Sequence, residues 1–233
     1  MAPRVVFMSD IHGNFPALRA VVDALPTYDA AFVAGDLCLE GPCPAQVVDL
    51  LRELGWTVVM GNTDRDLIAP PDGGKRTKRD RVDWTRRQLG PERLNWLKGL
   101  PFSARFADKG TDAVLVVHAN PLDMDRHLRP DMTEAELDPF LASIDTNLLA
   151  FGHLHTPYIR PVGDVLLMDV SSVGHPKDHD RRSAFTVVTW DDGHRTIEQV
   201  RVPYDIEETV HLLRHSGIPE AEEQVEALLR ASY

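Results

Sequence analysis

Residues 4–14 read RVVFMSDIHGN, and the fold turns on how they are read. Arg4 to Ser9 is apolar enough for a buried strand, and an Asp-x-His pair, Asp10 and His12, follows it directly. Asn14 stands where a helix N-cap belongs, before an amphipathic segment through Leu25 that tolerates Pro16 in its first turn. Strand, polar turn and helix make a β-α unit, and the pattern recurs. Ala30 to Ala34 is the next strand and Pro44 to Leu54 the next helix, with Gly55 placed for a left-handed C-cap. Trp56 to Met60 is the third strand.

Further along, residues 65–105 turn helical and polar, with a helical cap segment expected at about 65–100. Lys78 to Leu89 forms one helix there, and Pro91 opens a shorter one ending near Gly99. Ala113 to Val117 is a strand, and Thr133 with Glu136 forms a capping box. The second half is strand-rich: Leu148 to Phe151, Pro157 to Pro161, Val165 to Val170, Ala184 to Trp190 and Arg195 to Val202. The last two are joined by an Asp192-Gly193 hairpin turn. Helices from about Ile206 and Pro219 follow. The pattern predicts one mixed α/β domain over 1–233 with two packed sheets.

Composition narrows the function. Lys+Arg of 25 against Asp+Glu of 36 leaves a net charge of −11, which argues against coating duplex nucleic acid. The basic runs Lys75 to Arg81, Arg86-Arg87 and Arg181-Arg182 read as solvated faces. Cys38 and Cys43 are too few for a disulfide framework or a tetrahedral zinc site, so free thiols in a reducing cytoplasm are expected. The apolar run before Asp10 is too short for a signal peptide, and no run is long enough to span a bilayer.

The polar residues sit at strand ends. Asp10 and His12 follow the first strand, Gly35-Asp36 the second and Gly61-Asn62-Thr63-Asp64 the third. His118 ends the fourth, and Gly152-His153-Leu154-His155 the fifth. Ligands of open α/β sheets bind beyond the carboxyl ends of strands, so these groups are expected at one edge. Gly152 is expected to permit a tight bend that brings both of its histidines to the site. Mixed Asp oxygen and His nitrogen donors suit Mn²⁺, Fe²⁺, Ni²⁺ or Zn²⁺. Seven candidates exceed the needs of one ion and fit two with Asp36 shared. Two such ions, roughly 3.5–4 Å apart, acidify a bridging water and clamp a phosphoryl group.

In this order, Asp10-Ile-His12-Gly13-Asn14, Gly35-Asp36, Gly61-Asn62-x-Asp64, His118 and Gly152-His153-x-His155 resemble the calcineurin-like metallophosphoesterase superfamily. The resemblance implies a four-layer sandwich of two mixed β-sheets flanked by helices. It also implies one ion on Asp10, His12, Asp36 and His155, and a second on Asp36, Asn62, His118 and His153, manganese being the first choice. Gly41-Pro42, Trp84-Thr85 with Gly90-Pro91, and Ser172 to Asp178 are similar to the compact bacterial and archaeal phosphodiesterase branch. In the last stretch His175 and Lys177 are candidate substrate contacts. Asn62 and Asp64 are candidate catalytic residues, Asp64 orienting a ligand or water. Thr63 stands where many members carry a leaving-group histidine, which favours esters that depart without proton assistance. Ala119 replaces a usual glycine, which would crowd the backbone beside His118. The expected activity is two-metal phosphodiester hydrolysis by a bridging hydroxide on a small, nucleotide-like substrate, with self-association open. The alternatives are a phosphomonoesterase and a metal-binding scaffold.

Overall fold

A computed structural model describes residues 2–71, 73 and 75–233; Met1, and Asp72 and Gly74 within the expected helical cap, lie outside the described residues. Arg4–Met8 (β1), Phe15–Ala24 (α1), Ala30–Val33 (β2), Pro44–Leu54 (α2) and Thr57–Val58 (β3) form the first β-α-β-α-β run. Asn62–Ile68 (α3) and Arg76–Lys98 (α4) follow, then Ser103–Phe106 (β4), Val114–Val117 (β5), Glu134–Leu141 (α5) and Leu148–Phe151 (β6). Tyr158–Val162 (β7), Val165–Asp169 (β8), Ser183–Asp191 (β9), His194–Val202 (β10), Ile206–His215 (α6) and Ala221–Arg230 (α7) complete the chain.

Local chemistry sets several boundaries. The Asn14 side chain accepts from Ala17 N at the start of α1. Gly55 takes φ 64°, closing α2 where its left-handed freedom is needed. Thr133 and Glu136 complete a reciprocal capping box on α5. Gly90, at φ 65° and ψ 176°, breaks α4 ahead of Pro91 into the two expected helices. Two expectations are corrected. The third strand shrinks to Thr57–Val58, and Ser103–Phe106, read as part of a polar helical stretch, is a strand pairing antiparallel with β5.

The sheets run β10-β9-β1-β2-β3 and β4-β5-β6-β8-β7, each mixed. Alternation along β1 builds the layers. Val5 and Phe7 face the second sheet, packing with Val114, Val116, Leu148 and Ala150. Val6 and Met8 face α1, α2 and α4 through Leu18, Val47, Leu51 and Leu89. The outer face of the second sheet is covered by Leu137 and Phe140 of α5. This is the four-layer sandwich, helices on sheet on sheet on helix. The helical segment expected at about 65–100 buries Val82, Leu89 and Leu97 in the helical layer, while its Trp84 packs on Val210, Leu213, Val225 and Leu228 of α6 and α7. No helix among the described residues is long and apolar enough to cross a membrane.

Cys38 and Cys43 are free and buried. Burial, then the charge of Glu208, pushes Cys43 up to about 11; burial, then Asp64 and Asp36, raises Cys38 well above the usual thiol range. Native protein at pH 8 should therefore leave both thiols unmodified by an aromatic disulfide reagent, while denatured protein releases two equivalents. Rapid reaction of either thiol in the native state would contradict this placement.

Candidate metal centre

The polar residues leave the carboxyl ends of β1, β2 and β3 in one sheet and β5 and β6 in the other. The expected single edge is thus corrected to a seam between two sheets. Backbone bonds zip the loops together: Asp10 N donates to Gly35 O at 3.0 Å, His12 N to Asp36 O at 3.0 Å and Gly152 N to His118 O at 2.9 Å. Gly152 does not supply the bend. Left-handed φ angles fall on His153 (68°) and His155 (58°), as they do on Asp10 (54°), His12 (48°) and Asp36 (55°). Gly152 is needed for close approach, since a Cβ there would lie 2.1 Å from Ser9 Oγ and 2.4 Å from Asp10 Oδ2.

Each of the four imidazoles has one nitrogen on a backbone carbonyl. His12 Nδ1 donates to Leu39 O at 3.0 Å, His118 Nδ1 to Ala34 O at 2.7 Å, His155 Nδ1 to His175 O and His153 Nε2 to Asp125 O at 2.9 Å. With the outer nitrogen protonated, the inner one presents a lone pair. Those inner nitrogens crowd together: His12 Nε2 lies 3.3 Å from His155 Nε2, and His118 Nε2 lies 3.1 Å from His153 Nδ1. The Asn62 side-chain amide lies 3.0 Å from His118 Nε2; with its nitrogen inward it donates there and to Asp36 at 3.2 Å, and with its oxygen inward it offers a further donor atom to a cation. Asp10 Oδ1 is buried without a hydrogen-bond partner. Acceptors facing acceptors are unfavourable unless a cation lies between them. Two three-residue groups converge in this way, Asp10 with His12 and His155, and Asp36 with His118 and His153. In each, the donor atoms lie within 4.8 Å of one another. The donor set fits two divalent ions.

Charge follows from this crowding. Burial opposes ionisation of Asp10, but the charge of His155 and the closeness of both imidazoles, His12 Nε2 at 3.7 Å and His155 Nε2 at 3.2 Å from Oδ1, hold it well below the usual carboxylate range. Burial likewise opposes charge on His12, yet the nearby Asp10 carboxylate and the charges of Asp36 and Glu40 push it up to about 9. Without a cation, then, the carboxylates recruit a proton onto His12, and an arriving ion must displace it. Metal uptake at pH 7.5 should release protons, and apparent affinity should rise with pH up to about 9. Metal addition in weakly buffered indicator solution reads this directly; uptake without acidification would sink it.

The remaining candidates are placed as follows. Asp64 is fully buried and accepts from the backbone N–H groups of Asp36, Leu37 and Gly61 at 2.9–3.0 Å, so it holds the Asp36 loop. Thr63 Oγ1 is buried without a partner. Ala119 is accommodated with 1% exposure. His175 and Lys177 lie beside the seam: the His175 carbonyl orients His155, and Lys177 N donates to His155 O at 3.0 Å. Sequence reading missed His127, whose ring stacks on His153 at 4.2 Å. It also missed Asp125, gripped by both arms of Arg65 at 2.7 and 3.0 Å while its carbonyl orients His153. A carbonyl that orients a ligand leaves no trace in residue type, so no sequence signal existed for Asp125.

Comparison with known proteins agrees with this geometry. An uncharacterised protein of Methanocaldococcus jannaschii is 28% identical over 93% of this chain and 94% of its own length. A symmetrical bis(5'-nucleosyl)-tetraphosphatase of Acidovorax is 36% identical over 49% of this chain, a match spanning 43% of that enzyme. The structure of a metallophosphoesterase from Sphaerobacter thermophilus superposes with a TM-score of 0.80 at 26% identity, covering 99% of this chain and all of that one. The model of the calcineurin-like phosphoesterase superfamily domain matches residues 4–193, from β1 to the β9–β10 turn, and so takes in every candidate ligand. With two converging donor groups at the seam of a two-sheet sandwich, the chain belongs to the calcineurin-like phosphoesterase superfamily and is a metal-dependent phosphoester hydrolase.

Proposed function

We propose that the protein is a cytoplasmic phosphodiesterase that hydrolyses small, nucleotide-type diesters or related activated phosphoesters with two divalent ions, manganese foremost. One observation carries the reading: a full double donor set stands beside a Thr63 hydroxyl that is closed off from solvent. Asp10, His12 and His155 would hold one ion, and Asn62, His118 and His153 the other. Asp36, with one carboxylate oxygen 3.4 Å from His118 Nε2 and the other 3.7 Å from His12 Nε2, reaches both. Ions held there supply Lewis acidity toward phosphoryl oxygens and acidify water near neutral pH.

The protein's own groups do the positioning. Asp64 fixes the Asp36 loop through three backbone N–H groups. The carbonyls of Leu39, Ala34, His175 and Asp125 fix the imidazoles. His175 and Lys177 border the open side and suit contact with an anionic substrate. Since Thr63 gives no proton, the leaving group must depart on its own acidity. That favours aryl diesters and phosphoanhydrides over alkyl monoesters. The name of the tetraphosphatase relatives supports a small nucleotide substrate.

Hydrolysis of bis(p-nitrophenyl) phosphate and of an alkyl phosphomonoester, measured side by side on metal-stripped protein with Mn²⁺, Ni²⁺, Zn²⁺ or Mg²⁺ restored, tests this. The diester should turn over in a metal-dependent way and exceed the monoester by about tenfold or more, the lower end of what general acid catalysis contributes. Equal rates would overturn the diesterase reading.

A further inference from the structure

A cavity of about 510 Å³ opens beside the metal seam, within the size range of about 300–1,000 Å³ usual for small-molecule sites. One wall is Glu40, His175 and Lys177, which adjoin the seam; the other is α7 and the residues after it, including Arg230 and Tyr233. That second wall lies beyond residue 193 and so outside the matched family domain.

Tyr233 is 66% exposed yet pinned at two points. Its hydroxyl donates to the carbonyl of Leu154, the residue between His153 and His155, and Lys177 Nζ sits 4.5 Å from its ring centroid. The backbone nearby is fixed too, by His179 N donating to Ala231 O at 2.7 Å. A large, exposed, immobilised ring is a ready stacking surface. Lys177 lies over the ring and Arg230, its Nε donating to Ser232 O at 3.4 Å, lines the same cavity; among the described residues neither has a carboxylate within salt-bridge distance. Glu223 and Glu226 of α7 line the same cavity and offer acceptors for hydroxyl or amino groups.

We infer that this cavity binds the nucleoside 5'-phosphate portion of the substrate, its base on Tyr233 and its phosphate toward Lys177 and Arg230. The inference rests on the diesterase reading and names the side of the substrate that determines specificity. Cations unpaired with carboxylate, an anchored ring and carboxylate acceptors together suit a nucleotide better than an inorganic anion or an apolar alcohol.

Equilibrium dialysis of 5'-AMP, adenosine and inorganic phosphate separates the contributions. It is run on the full chain as purified and, in parallel, after chelator treatment, which removes phosphate capture by metal. Binding of 5'-AMP should persist after chelation. Tyr233→Leu should weaken 5'-AMP and adenosine by about tenfold or more, while Tyr233→Phe, which keeps the ring, should retain adenosine binding. Arg230→Ala should weaken 5'-AMP by about tenfold and leave adenosine unchanged. Circular dichroism and melting curves establish that each variant is folded, and the Phe variant distinguishes loss of the ring from loss of the Leu154 bond. Absence of 5'-AMP binding to the parent at millimolar concentration, or equal binding by parent, Tyr233→Leu and Arg230→Ala, overturns the inference. Diester cleavage with no nucleotide binding removes this site alone. Nucleotide binding in this pattern without diester cleavage removes the catalytic reading and keeps the site.

Discussion

Asp36→Asn should abolish metal-dependent diester hydrolysis, with a loss on the order of 10³-fold or more, beyond the 10–100-fold typical when only an outer partner of a ligand is removed. Among the described residues, Asp36 is the one whose carboxylate faces both donor groups, 3.4 Å from His118 Nε2 and 3.7 Å from His12 Nε2. Asparagine keeps the shape and can keep the bond that Asp36 Oδ1 accepts from Thr63 N at 2.9 Å. It also tolerates the left-handed φ of 55°. The metal-free fold should therefore survive. The clearest reading pairs activity with thermal melting. The parent should gain stability on adding Mn²⁺, by about 4 kcal/mol at a thousand times its dissociation constant, and the variant should lose most of that gain. A variant that kept both activity and metal-induced stabilisation would remove Asp36 from the shared position.

Gly174→Ala and Gly41→Ala should each destabilise the protein by about 3 kcal/mol or more, the upper end of overpacking costs, because their clashes are with backbone. A Cβ on Gly174 would stand 1.8 Å from Ile11 O, and one on Gly41 would stand 1.8 Å from His12 O. Side chains can rotate away from such contacts; these carbonyls cannot. The loop from Asp10 to Asn14 is stitched to Gly174 from both sides: Gly174 N donates to Asp10 O at 3.0 Å, and Asn14 Nδ2 donates to Gly174 O at 2.9 Å. Displacing it moves Asp10 and His12, so metal affinity should fall with stability. A loss of 3 kcal/mol lowers the melting temperature by roughly 6–12 °C in a domain of this size. Gly99→Ala is the control. Its Cβ would meet nothing nearer than Trp96 O at 3.4 Å and its φ is −83°, so the melt should barely move. Similar melts for all three variants would show that the two buried glycines are not required for close approach.

The sequence made some features legible and hid others for physical reasons. Pro44, Gly55 and the Thr133–Glu136 pair announce helix ends because capping is local chemistry, and each boundary falls where it was expected. The candidate ligands were readable because Asp and His recur at strand ends, where few structural roles need them. Ser103–Phe106 was hidden. Its polar alternation becomes a strand only through pairing with β5, and the one local signal was the Asp108–Thr111 turn between them, with Gly110 at φ 84°. The seam between two sheets was hidden as well, since strand ends reveal their sequence position but not which sheet they join. Tyr233 meets Leu154 across 79 residues, a separation at which no periodicity speaks.

The left-handed backbone at Asp10, His12, Asp36, His153 and His155 has a consequence for the protein's lineage. Each non-glycine residue in that region costs about 1–2 kcal/mol, so five together consume a sizeable part of a typical folding stability of about 5–15 kcal/mol. Glycine would be free of that cost at each position, so aspartate and histidine there fit a need for their donor atoms. In a descendant that had abandoned metal, glycine and asparagine would be the substitutions favoured at these five positions, because they relieve the backbone as they remove donors. The order in which related chains acquire those two residues would then date the loss of catalysis, with no assay required.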